Sequence, residues 1–251
     1  MSAARNKRRR YKKRGRFGFL YKVLSVIAIA AAVFMGATVF FRVERVEVTG
    51  NVRYDAAQVE QASGVTHGDN LFRLNKYDIA ARIRRTLPYV ESVNIRRRLP
   101  DTLILNVNEC VAAAQLTSGE GGWLISTSGK LLDWSDVPHA LRVDGIAPVL
   151  PEPGVIMTVK AQYQARADGL VALLQALEEN EMLSRATRVD LSSVTAIRME
   201  IDGRFTVKLP VSGDFSYLLA AMDKAIQSLE PFEHGSLDLT VKDYTVVFSP
   251  A

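Results

Sequence analysis

Chemistry requires side chains that converge, and in this 251-residue chain the groups able to supply it are scattered. His67, His139 and His234 lie far apart, with no HExxH element and no paired-ligand spacing, so no metal site is expected from them. The run Gly122 to Lys130 begins and ends like a phosphate loop. It fails on spacing, because six residues separate Gly122 from Gly129 where four are needed, and Leu131 stands where a Ser or Thr would bind magnesium. No GxSxG or SxxK element occurs beyond residue 41. Cys110, followed by Val-Ala-Ala-Ala, reads as a packed small side chain and not as a nucleophile. No catalytic, cofactor-binding or metal-binding residue is expected, and the chain is not read as an enzyme. The cluster Arg96-Arg97-Arg98 has two open readings: a solvated hairpin edge whose charges deter edge-to-edge pairing, or an anion contact with lipid head groups or an acidic partner.

The stretch that positions everything else is Val23 to Phe41, VLSVIAIAAAVFMGATVFF, which has no charge and no proline. As a helix it would run roughly 28 Å, close to the roughly 30 Å hydrocarbon core of a bilayer. Ten Lys or Arg and no acid occur in residues 1–41, so the positive-inside bias keeps the N-terminus cytoplasmic. Small residues at Ala30, Ala32 and Ala37 could serve a signal-peptide cleavage site, but the apolar run continues past them, and a retained single-pass anchor is expected. The formal charge of +5 and the pI near 9.3 suggest a nucleic-acid partner at face value. Removing the ten N-terminal cations leaves the exported part at −5, which argues against one and assigns the basic arm to topology and to anionic lipid. Cys110 is the only cysteine, so no intrachain disulfide can form and the core must stabilise itself.

Beyond the apolar stretch, Val46 and Val48 alternate with polar neighbours as in a half-buried strand, and Gly50-Asn51 ends it. Asp55 and Gln58 have the spacing of a capping box before a short helix that Gly64 closes. Asn75 and Asp78 open a second helix carrying Ile79, Ile83 and Leu87, stopped by Pro88. Val93 and Ile95, then the turn Leu99-Pro100-Asp101, then Leu103, Leu105 and Val107 complete a hairpin. The order is strand, helix, helix, strand, strand, an α+β unit.

From Val111 the chain is richer in strands. Trp123 to Ile125 turn at Ser128-Gly129 into Leu131-Leu132, and Pro148 to Gly154 is a rigid crossing. A helix from about Ala161 to Asn180 carries a stripe of Leu170, Leu173, Leu174 and Leu177. Ile197 to Leu209 is a hairpin about Asp202-Gly203, and Asp214 caps a helix that Pro231 ends. Leu237, Leu239 and Val241 alternate, and Tyr244 to Phe248 form a last strand with three residues after it.

The strand Val46-Glu47-Val48-Thr49-Gly50-Asn51, the run Leu71-Phe72-Arg73-Leu74-Asn75, the helix exit Leu87-Pro88-Tyr89-Val90 and the hairpin Arg97-Arg98-Leu99-Pro100-Asp101-Thr102-Leu103 resemble the bacterial cell-division family FtsQ, called DivIB in Gram-positive bacteria. The resemblance covers essentially the whole chain and is strongest over residues 40 to 110. It implies a basic cytoplasmic arm (1–22), a transmembrane helix (23–41), a POTRA domain (42–110) and a β-domain of mainly antiparallel strands with covering helices (111–251). It also implies a non-enzymatic divisome scaffold at the septum of the inner membrane, exported C-terminally, that needs no cofactor, binds FtsB- and FtsL-type partners and influences septal peptidoglycan synthesis. Enterobacterial-type members show Leu-Asp-Leu-Arg-Tyr near the last strands, whereas Leu237-Asp238-Leu239 is followed here by Thr240-Val241. If that final strand lies at a sheet edge it invites strand addition, which makes Leu239, Val241, Tyr244, Val246 and Phe248 the expected partner-binding residues; if it is central, its side chains are simply core. Readings from other classes are a membrane-anchored cell-wall enzyme and a POTRA-type chaperone for exported polypeptides.

Overall fold

The computed structural model describes residues 17–241 and 246–250, without the side chains at 17, 18, 34 and 37–39. The apolar stretch lies in one helix up to Phe40, α1 (Phe17–Phe40), which at 24 residues is about 36 Å long, and Phe41 falls just beyond its end. Among the described residues no helix is long and apolar enough to cross a membrane, residues 34 and 37–39 of α1 falling outside that description. After it come β1 (Arg45–Thr49), α2 (Ala56–Ser63), α3 (Lys76–Thr86), β2 (Val90–Arg98) and β3 (Thr102–Glu109). The three strands form one sheet in the order β1-β3-β2.

Local chemistry fixes these helices. Asp55 Oδ1 accepts from Gln58 N at 2.7 Å while Gln58 Oε1 accepts from Asp55 N at 3.0 Å, and Gly64 closes α2 in the left-handed region at φ 64°. Asn75 caps α3 by accepting from Tyr77 N, and Ile79 and Ile83 are buried along it. Glu109, at the end of β3, accepts from the three successive amides of Val52, Arg53 and Tyr54. That carboxylate satisfies a turn whose N–H groups have no strand partner.

The rest of the chain forms β4 (Ala114–Ser118), β5 (Gly121–Ile125), β6 (Leu131–Ser135), β7 (Arg142–Asp144), α4 (Gln164–Glu179, preceded by a 3-10 turn), β8 (Ala186–Asp190), β9 (Ala196–Ile201), β10 (Phe205–Pro210), α5 (Phe215–Gln227), β11 (Gly235–Asp238) and β12 (Val247–Pro250). These strands make a nine-stranded sheet in the order β12-β11-β10-β9-β8-β7-β4-β5-β6. Most neighbours are antiparallel, as expected, but β4 with β7, β7 with β8 and β10 with β11 run parallel. The last of these follows from α5, since a helical crossover returns the chain in the same direction.

One core holds this part together. Leu170, Leu173, Leu174 and Leu177 of α4 and Leu218, Leu219 and Met222 of α5 are buried with Val143, Val189, Met199, Ile201, Val207 and Leu209 of the sheet. Gly169 sits inside α4 for a packing reason: a Cβ there would lie 2.2 Å from the Val211 carbonyl oxygen. The alternate positions face solvent and carry charge, Arg188 pairing with Asp144 at 2.7 Å and Lys208 with Asp238 at 3.1 Å.

By compactness the chain divides into two units. One holds the chain up to Val46 with Thr66–Leu74 and Arg97–Leu103; the other holds Glu47–Val65, Asn75–Arg96 and the chain from Ile104 onward.

Three details depart from the expected pattern. Val241 does not continue the buried alternation of Leu237 and Leu239 but is 44% exposed. The cause is an Asx turn, in which Asp238 Oδ1 accepts from both Thr240 N and Thr240 Oγ1 and ends β11. The last helix stops at Gln227, ahead of Pro231, where Ser228 N bonds back to Ala225 and Ile226. The final strand is Val247–Pro250 and not Tyr244–Phe248; Tyr244 lies outside the described residues.

Candidate partner-binding edge

The nine-stranded sheet has two ends, and they differ in what covers them. At β6, Gly154 N donates to Leu131 O at 2.7 Å and Leu131 N to Val155 O at 2.9 Å, while Met157 N reaches Gly129 O. The proline-rich crossing therefore pairs with the Gly129–Leu131 end of that edge. At β12 no further strand is paired among the described residues.

The register shows which groups β12 offers. Gly235 N donates to Arg204 O and Leu239 N to Lys208 O, so the odd-numbered residues of β11 direct their backbone toward β10. Alternation directs Ser236 and Asp238 toward β12, opposite Ser249 and Val247. The backbone N–H and C=O of Phe248 then face outward, and Pro250 presents a carbonyl without a donor.

Side chains at this edge are split between core and solvent. Phe248 and Val246 pack against the main core, and the Phe248 ring meets Phe205 edge to face at 6.4 Å. Val247 is 42% exposed on the other face. Leu239 is buried, so it supports the edge from beneath. Burial raises the Asp238 carboxyl, but hydrogen bonds from Thr240 and Lys208 outweigh it and hold the group below its ordinary range.

Of the five expected residues the structure thus brings Leu239, Val246 and Phe248 together at the β11–β12 end, leaves Val241 exposed beyond β11, and does not describe Tyr244. The strand also holds Val247, Ser249 and Pro250, which the expected set did not include; the unbroken apolar run Val246-Val247-Phe248 offers no alternation that would have fixed its register.

The other groups stay apart from this edge. Arg96, Arg97 and Arg98 are exposed at the end of β2, and Arg97 Nη2 donates to Leu74 O at 2.7 Å. His67 and His234 are exposed, and His139 Nδ1 accepts from Leu141 N. Among the described residues no group of three His, Cys, Asp or Glu could hold a metal ion. The Gly122–Lys130 run is a hairpin whose amides are already used, Ser126 N on Lys130 O and Gly129 N on Ser126 O.

Fold and edge together define a class: a strand-helix-helix-hairpin unit and a large mixed sheet whose β12 edge carries no further strand among the described residues. Residues 41–109 match the family described as POTRA domain, FtsQ-type. The chain is 30% identical over 171 residues to the cell division protein FtsQ of Corynebacterium glutamicum, covering 64% of this chain and 76% of that protein. It is 24% identical over 160 residues to the cell division protein DivIB of Clostridium acetobutylicum, covering 64% of each. With the cell division protein FtsQ of Streptomyces coelicolor the identity is 25% over 175 residues, 67% of this chain and 61% of that protein. The chain belongs to the FtsQ/DivIB family of bacterial cell-division proteins, and its role is that of a divisome scaffold.

Proposed function

We propose that the chain is a single-pass scaffold of the division septum that acts by binding and not by catalysis. Residues 1–22 form its cytoplasmic arm, 23–41 its inner-membrane anchor, 42–110 its POTRA domain and 111–251 its β-domain. Support for the anchor comes from the uncharged run Val23 to Phe41 behind ten cations and from the continuous helix α1. Its partners are divisome membrane proteins of the FtsB and FtsL type, through which it influences septal peptidoglycan synthesis.

The observation that carries this reading is the uncovered edge at β12. An extended segment of the FtsB-type partner adds a strand there, its main chain pairing with the outward groups of Phe248 and its alternate side chains covering Val246 and Phe248. Val246→Pro removes a backbone donor next to the edge, and Phe248→Ala removes an aromatic anchor of the kind that dominates many interfaces. Both variants are expected to weaken binding to the FtsB-type partner, measured by titration, while the chain keeps a cooperative thermal transition. Because Phe248 also packs on Phe205, the melting curve is part of the test. Normal binding by both variants, or binding lost only where the melt is lost, sinks the strand-addition mechanism.

A further inference from the structure

The segment just beyond α1 is folded against a second stretch of chain. Val43 N donates to Asp69 O at 2.8 Å, Gly68 N to Val43 O at 2.9 Å and Leu71 N to Phe41 O at 2.9 Å, and Arg42 bridges Asn70. Asn70 then turns the chain, its Oδ1 accepting from Phe72 N and its carbonyl from Arg73 N. The result fixes Phe72 and Arg73 beside the end of α1. Phe72 meets Phe41 edge to face at 5.0 Å, and Phe41 meets Phe40 at 5.2 Å. Phe40 is 67% exposed and Phe72 54% exposed.

Between these elements lies a pocket of about 500 Å³ lined by Arg42, Gly68, Asp69, Asn70, Arg73 and Leu74. Among the described residues neither the Arg42 nor the Arg73 guanidinium has an ion pair or a hydrogen bond. Asp69 is the one acid in the wall, and its Oδ2 already accepts from Thr66 N. The compact unit that contains the pocket carries five arginines against three acids beyond residue 41 (Arg42, Arg45, Arg73, Arg97 and Arg98; Glu44, Asp69 and Asp101), whereas the exported chain as a whole is at −5.

We propose that this pocket binds the phosphate of an anionic phospholipid in the leaflet where α1 emerges, with Phe40 and Phe72 at the level of the head groups. Two unpaired guanidinium groups at one concave site match a phosphate in shape and charge. Exposed phenyl rings beside them can bury at the boundary between head groups and acyl chains, as Phe does on the apolar face of interfacial helices. The proposal rests on α1 being a retained anchor.

The test uses the full chain in lipid nanodiscs and follows amide hydrogen exchange at Leu71, Phe72 and Arg73. Exchange is expected to be slower in phosphatidylglycerol discs than in phosphatidylcholine discs, by about five-fold for each arginine engaged. Arg42→Gln with Arg73→Gln should abolish the difference while exchange in α4 and α5 stays unchanged. The double variant also separates this pocket from the basic N-terminal arm, which binds anionic lipid in either case. Equal exchange in the two lipids, or a difference that survives the double variant, overturns the proposal. So does equal slowing by soluble glycerol phosphate in detergent, which would make the ligand a free phosphate. A chain that inserts but shows no lipid dependence overturns the pocket alone; a chain that does not enter the discs overturns the anchor and the pocket together.

Discussion

At the scale of single residues, Cys110 and Lys130 illustrate how burial sets chemistry. Burial pushes the Cys110 thiol up from its ordinary value of 9.0 to about 11, with Glu91 adding to the effect and Lys130 opposing it. The Lys130 ammonium is itself buried, with Nζ donating to Val90 O, and its pKa is lowered by desolvation. A thiol raised in this way keeps its proton after the unfolded chain has lost it. The stabilisation is therefore fully present below pH 9 and is lost as the pH rises toward 11. The difference in unfolding free energy between the wild type and Cys110→Ala should shrink across that window, as measured by denaturant titration at each pH. Iodoacetamide should alkylate the folded protein slowly at pH 9 and the denatured protein quickly. Equal rates would refute the buried-thiol account.

Elements are held by their ends as much as by their faces. The α2 helix is only eight residues long and buries only Val59, Ala62 and Ser63, so its capping box carries a large share of its stability. Asp55→Ala leaves the Gln58 amide without its acceptor and should cost about 1 kcal/mol, read as a lower denaturation midpoint with an unchanged denaturant slope. Asp55→Asn, which keeps the acceptor, should lose much less. The β9–β10 hairpin is specified in the same local way. Asp202 and Gly203 both take positive φ, 57° and 65°, as a tight two-residue connection demands.

On the scale of the whole molecule, the proposed topology has a basic N-terminal arm and α1 leading into a large body outside the cytoplasm. A reporter active only outside the cytoplasm, fused after Ala251, should be active, and protease added to spheroplasts should remove the soluble part. Mature protein beginning near residue 38 would instead mean a cleaved signal. The two compact units are not cut where the sequence changes character, because Thr66–Leu74 and Arg97–Leu103 join the chain up to Val46. That grouping is non-local, and it is what assembles the Arg42–Arg73 pocket.

Local and periodic features were legible in the sequence. The Asp55–Gln58 box, the Asn75 and Asp214 caps, the leucine stripe of α4 and the Asp202-Gly203 turn each depend on residues within a few positions of one another, so residue type and spacing suffice. Strand order was not legible. Nothing local says that β4 lies beside β7, or that the crossing at Gly154 pairs with Leu131 at one end of the sheet while β12 at the other has no further strand among the described residues, because pairing is decided by surfaces far apart in the chain. The same holds for Lys130, which sequence placed at the end of a failed phosphate loop and the fold buried against Val90, and for Val241, which its period aligned with Leu237 and Leu239 and the Asp238 turn sent to solvent. Sequence marked the helices, the caps and the hairpins but not β4, β7 or β8; only the tertiary structure decided which segments became those strands and which cations were left without a partner among the described residues, since both depend on the contacts that distant segments make when they pack.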